Sequence, residues 1–95
     1  MKLWVDDVRE APEGWTLATD YETAKRFLSS VKIEVLSLDH DLGEDSLTGY
    51  DIAKQLVEHS VYPNDIYCHS MNPVGRHNII ALLKHYAPEG VTVHP

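Results

Sequence analysis

Three stretches with helical periodicity alternate with short apolar, strand-like runs, and this alternation constrains the chain more than any other feature. A strand followed by a helix and then by another strand needs a crossover, so the sheet it builds is mostly parallel. Lys2 to Asp7 reads as a first strand and Trp15 to Thr19 as a second, with a loop from Val8 to Gly14 broken by Pro12 and Gly14. A helix follows, with Thr19 and Glu22 at capping-box spacing and Tyr21, Ala24, Phe27 and Leu28 on one face. Lys32 to Asp39 is the third strand, and its apolar content places it centrally. After a polar loop from Asp41 to Leu47, Thr48 and Asp51 repeat the capping-box spacing. Ile52, Ala53, Leu56 and Val57 form that helix's inner stripe, and Pro63 stops it. Asp65 to Ser70 is the fourth strand. Asn72 and Pro73 then read as the N-cap and first position of a third helix, with Gly75, Ile79, Leu82, Leu83 and Tyr86 on its face. Pro88 and Gly90 end it, and Val91 to His94 is a closing strand.

In open parallel sheets, ligands gather beyond the carboxyl ends of the strands. Here those ends are rich in chemistry. Asp6 and Asp7 end the first strand, and Asp39, His40 and Asp41 the third. His69 and Ser70 end the fourth, and His94 the last; only the second ends plainly, in Thr19 and Asp20. A single Asp at a strand end is ordinary turn chemistry. Asp6, Asp7, Asp39 and Asp41 meeting at one edge is different, because carboxylates a few ångströms apart repel strongly. Either one stays protonated or a cation bridges them. Mg²⁺ or Mn²⁺ suits such oxygen ligands, and added imidazoles widen the choice to Zn²⁺.

Of the six histidines, His59 and His85 lie near helix C-termini, where an imidazolium complements the dipole. His77 lies in the third helix beside Arg76, and His94 stands near a frayed end. His69 and His40 are the candidates for proton transfer. The helix that opens at Asn72 points its first amides at the sheet edge and attracts anions. Gly75 lets a ligand or another backbone come close. Arg9 and Arg76 can clamp a phosphate, and Trp15, beside the Arg9 loop, can stack on a base. Neither GxxxxGK[ST] nor GxGxxG occurs, so nucleoside triphosphate chemistry has no support.

The formal net charge of −7 excludes a general nucleic-acid binder, since phosphate backbones repel an acidic surface, but not a small phosphorylated ligand held through a cation. One cysteine, Cys68, excludes an internal disulfide and points to a reducing compartment. No signal peptide is visible, and no apolar run approaches the roughly 20 residues that span a bilayer. A cytoplasmic protein is the expectation.

An Asp pair after the first strand and an Asp after the third resemble the receiver domain of two-component signalling. The resemblance implies that Asp6 and Asp7 are the acidic metal-binding pair and Asp39 the phospho-accepting position, with Ser70 or His69 where that family has a hydroxyl. Two features depart from it. The helix between the first two strands is reduced to the loop Val8 to Gly14. The lysine after the last strand has no counterpart in "VTVHP", where His94 and Pro95 stand. A closer resemblance, over nearly the whole chain, is to the cyclic-phosphate processing receiver domain of bacteria and phages. It is carried by "WVDDVREAP", "SLDHDLG", "TGYD" and "HSMNPVGRHNI". It implies a receiver-derived fold whose acids and histidines bind or act on a cyclic or phosphodiester-containing nucleotide.

These readings converge on one domain over residues 1–95. Its expected fold is α/β, a flavodoxin-like, receiver-type three-layer sandwich with a reduced helix set and a parallel five-stranded sheet ordered 2-1-3-4-5. The expected function is metal-dependent hydrolysis of a small cyclic phosphate or nucleotide. Asp6, Asp7 and Asp39 would hold the ion with Asp41 assisting, while His69 or His40 moves the proton. Arg9, Ser70, Asn72, Gly75 and Arg76 would receive the substrate. The rivals are a non-catalytic module that binds a nucleotide messenger or partner protein and, weakest without the lysine, a phospho-accepting receiver.

Overall fold

The structure, a computed structural model, describes residues 1–42 and 47–95. The middle of the expected loop from Asp41 to Leu47, residues 43–46, lies outside the described residues. The strands are β1 (Lys2–Val5), β2 (Thr16–Ala18), β3 (Val35–Leu38), β4 (Asp65–Cys68) and β5 (Thr92–Val93). The helices are α1 (Tyr21–Ser30), α2 (Gly49–His59) and α3 (Pro73–Tyr86). The sheet order is β2-β1-β3-β4-β5 and every neighbouring pair is parallel, including β1 and β2, which a loop and no helix connects. The strands are shorter than their apolar runs, so Asp6, Asp39, His69 and Ser70 lie just past the ladder, on its carboxyl edge.

Local signals account for the helix ends. Asp20, not Thr19, caps α1: its carboxylate accepts the Thr23 N–H at 2.8 Å, and a carboxylate also suits the positive end of the helix dipole. At α2 the Thr48 N–H donates to Asp51 Oδ2, and the helix closes at Ser60, in the left-handed region at φ 53°, before Pro63 is reached. At α3, Asn72 Oδ1 accepts the Gly75 N–H at 3.0 Å and Pro73 takes the first position.

Burial alternates along β1 and β4, while in β3 the outward Ser37 is buried as well. Leu3, Val5, Leu36, Leu38 and Ile66 are at most 1% exposed and pack in one core with Ala24, Ile52, Leu56, Ile79 and Leu83 of the helices. Helix α1 touches α2, and α2 touches α3. All three lie on one face because β2→β3, β3→β4 and β4→β5 advance the same way across the sheet, and right-handed crossovers then share a side. The β1→β2 connection runs the opposite way and would place a helix on the other face, but its residues form a loop. The expected third layer is therefore missing among the described residues, and the fold has two layers. Trp4, Val35, Asp65 and Tyr67 face outward with no helix over them. None of the helices described is long and apolar enough to cross a membrane.

Candidate active site

Asp6 follows directly on β1 and is still tied to β2, its N–H donating to the Ala18 carbonyl at 3.1 Å. Its side chain is fully buried. Oδ1 accepts the backbone N–H groups of Val8 and Arg9, both at 2.9 Å, an Asp-closed turn that shapes the start of the β1–β2 loop. Oδ2 lies 3.1 Å from His69 Nε2 and 3.3 Å from Arg9 Nη1. Burial pushes the Asp6 carboxyl up. The N–H groups of Arg9 and Val8 and the bond from His69 outweigh it and hold the group below the ordinary carboxylate value.

Asp39 leaves β3 one strand away, its N–H bound to the Val5 carbonyl at 2.9 Å. It is 8% exposed, and its Oδ2 lies 3.9 Å from the same Arg9 Nη1. Helix α2 begins against its backbone: a Cβ on Gly49 would lie 2.0 Å from the Asp39 carbonyl oxygen. Only glycine allows that approach, which explains the "TG" that opens α2.

His69 leaves β4 with its N–H bound to the Leu38 carbonyl at 3.0 Å. Its ring lies parallel to Trp4 at 3.8 Å, and its Nδ1 is 2.7 Å from Ser37 Oγ. Nε2, facing a carboxylate, carries the proton, so Nδ1 accepts from the Ser37 hydroxyl. Burial lowers the His69 pKa more than Asp6 raises it, which keeps the ring neutral. Ser37, 2% exposed, escaped the sequence reading. The signal for it was a polar residue between Leu36 and Leu38 in an otherwise apolar strand. Asp6, Asp39 and His69 thus each offer a ligand atom within 4.8 Å of the others, with Arg9 as the cation between the acids.

The side chains of the other candidates lie outside this group, although the Asp41 N–H donates to Asp39 Oδ1 at 3.4 Å. Asp7 is exposed, with no hydrogen-bond or ion-pair partner among the described residues. Asp41 is exposed and pairs with His40 Nδ1 at 3.0 Å. The His40 ring packs on α3, where a Cβ on Gly75 would lie 2.3 Å from its Cγ. The close approach expected at Gly75 is therefore made by His40, and no space for a ligand is left there. Ser70 is buried, its Oγ accepting the Asn72 N–H at 3.1 Å, and the Asn72 oxygen is spent on the helix cap. Arg76 donates through Nε to the Cys68 carbonyl at 3.3 Å. His94 is not frayed: Nε2 lies 3.0 Å from Asp65 Oδ1 and the ring stacks on Tyr67 at 4.0 Å.

Comparison with known families adds one result. The sequence profile of the cyclic-phosphate processing receiver domain matches residues 1–85. The chain belongs to this family. No curated protein and no solved structure matches it. In this cyclic-phosphate processing receiver domain, the matched span includes Asp6, Asp39, His69, Arg9 and Ser37, so the whole convergent group lies within it. Strand β5 and His94 fall beyond it.

Proposed function

We propose that the Asp6–Asp39–His69 centre hydrolyses a phosphoester bond of a small cyclic phosphate or nucleotide with the help of a divalent ion. The observation that carries this reading is the convergence of two buried carboxylates and a neutral imidazole within 4.8 Å, on the edge where parallel sheets bind ligands. The donors fit a hard cation, because one or two carboxylates completed by water and substrate phosphate is the usual environment of Mg²⁺ and also suits Mn²⁺. An ion held by Asp6 and Asp39 would polarise a phosphoryl oxygen and acidify a water.

The chain's own groups do the rest. Arg9 is 44% exposed, so its guanidinium can leave the two acids and meet a phosphate oxygen. Ser37 Oγ donates or accepts equally well and therefore holds the His69 ring in either tautomer. Without an ion the Asp6 carboxylate holds the ring proton on Nε2. With that carboxylate taken up by an ion, the ring proton would lie on Nδ1 and be donated to Ser37 Oγ. His69 Nε2 would then take a proton from the attacking water and return it to the leaving oxygen. Trp4, stacked on the ring, fixes its plane.

The test is product analysis after incubation with cyclic mono- and dinucleotides and Mg²⁺, Mn²⁺ or Zn²⁺. Asp39→Asn and His69→Ala should each lower turnover by about 100-fold or more. Saturable binding without product would replace hydrolysis by a binding role. A stable acyl phosphate on Asp39, formed from acetyl phosphate, would replace it by phospho-acceptance.

A further inference from the structure

The sheet face that carries no helix holds a groove of about 410 Å³. Its floor is Val35 and Ser37, successive outward positions of β3. Trp4 and Tyr67 flank Ser37 in register, so a small residue separates two aromatic ones. Two strand spacings put those flanking positions roughly 9.5 Å apart. Trp15 meets Trp4 edge-on at 5.6 Å and extends that wall. One row nearer the strand starts, Lys2 and Asp65 flank Val35 in the same way, a donor and an acceptor across the floor. At the other end stands His69, which also belongs to the Asp6–Asp39 group. The groove and the candidate active site are thus continuous through one side chain.

We propose that this groove seats the base of a nucleotide whose phosphate lies at Asp6, Asp39 and His69. The substrate class is then a nucleotide phosphoester, not a sugar or polyol cyclic phosphate. This rests on reading that group as the phosphoester centre. A sugar or polyol phosphate has no flat π-face to stack on the aromatic walls. His69 covers one face of Trp4 and His94 one face of Tyr67, so a base uses the aromatic surface that Trp4, Trp15 and Tyr67 still turn to the groove. It offers Lys2 an acceptor and Asp65, already paired with His94 Nε2, a further donor, and it is neutral, so the acidic surface does not repel it.

The experiment is a tryptophan-fluorescence titration in EDTA with adenosine and with ribose 5-phosphate, which separates base from phosphate. Adenosine should quench saturably and ribose 5-phosphate should not. Tyr67 is 41% exposed, so Tyr67→Ala should fold, which circular dichroism checks, and should bind adenosine about tenfold more weakly. Tyr67→Trp should retain binding. No saturable quenching, or equal affinity in Tyr67→Ala, would overturn the base seat. So would sedimentation showing that a second copy of the chain covers the groove. Cleavage of glycerol cyclic phosphate without adenosine binding would overturn the base seat and leave the hydrolytic reading standing. Adenosine binding without cleavage of any substrate would support the seat and remove only that reading.

Discussion

The two faces of this sheet are made of the same strands and do opposite work. On one, Leu3, Val5, Leu36, Leu38 and Ile66 are at most 1% exposed beneath three helices. On the other, Trp4, Ser37 and Tyr67 meet no helix among the described residues, and side chains from loops and strand ends, Trp15, His69 and His94, lie against them. Apolar burial, the main favourable term in folding, is concentrated on the first face. The polar contacts that a site needs lie on the second face and at the edge, where they displace little of that burial.

The sharpest way to break this contrast is to cut equally on both sides. Leu36→Ala on the helical face should cost about 2–5 kcal/mol in urea unfolding. Tyr67→Ala on the other face should cost under about 1 kcal/mol. Similar costs would mean that the second face is packed as tightly as the first, against what is described.

Gly75→Ala tests the edge between them. The added methyl must displace the His40 ring, so we expect a loss of about 1–3 kcal/mol. Phosphoester turnover should change far less than in His69→Ala, because His40 packs on α3 and His69 lies against Asp6. Equal losses of turnover would mean that His40 belongs to the working group.

Acid sharpens the contrast with the smallest effect. Asp6 has a lowered pKa in the fold, so its contribution is complete above the ordinary carboxylate value and is lost as pH falls through its folded value. His69 is lowered mainly by burial, so the unfolded chain takes up a proton that the folded chain refuses. Stability therefore begins to fall as pH drops through the ordinary imidazole range. Urea midpoints measured from about pH 7 to about pH 3 should fall in these two stages. Asp6→Asn should make the lower stage smaller, leaving the part that Asp20 and Asp51 contribute.

Much of this was legible from the sequence because periodicity is local. The strands, the helices and the mostly parallel sheet follow from apolar spacing and from crossovers that the chain cannot avoid, whereas the order 2-1-3-4-5 is the one expected of a receiver-type fold. The carboxyl edge as the place for chemistry follows from topology alone. What was not legible lies where local rules stop. Past the last ladder bond nothing in the spacing says which of Asp6 and Asp7, or of His40 and His69, turns inward. That choice is made by the turn on Asp6 Oδ1, the Trp4 stack and the space at Gly75. Ser37 passed as one more strand residue because its importance depends on a histidine 32 positions away. Two layers instead of three follow from a connection whose apolar content was too small for a helix, and the choice of Asp20 and Ser60 for the helix-end roles depends on which neighbouring residue takes the cap.

The central claim is that Asp6 and Asp39, and not the acids around them, hold a divalent ion beside His69. Calorimetric titration of Mn²⁺ into the wild type, Asp39→Asn and Asp41→Asn tests it directly. We predict a single saturable site in the wild type and in Asp41→Asn, and no such site in Asp39→Asn. Equal binding by the wild type and Asp39→Asn, or loss of the site in Asp41→Asn alone, would contradict the account.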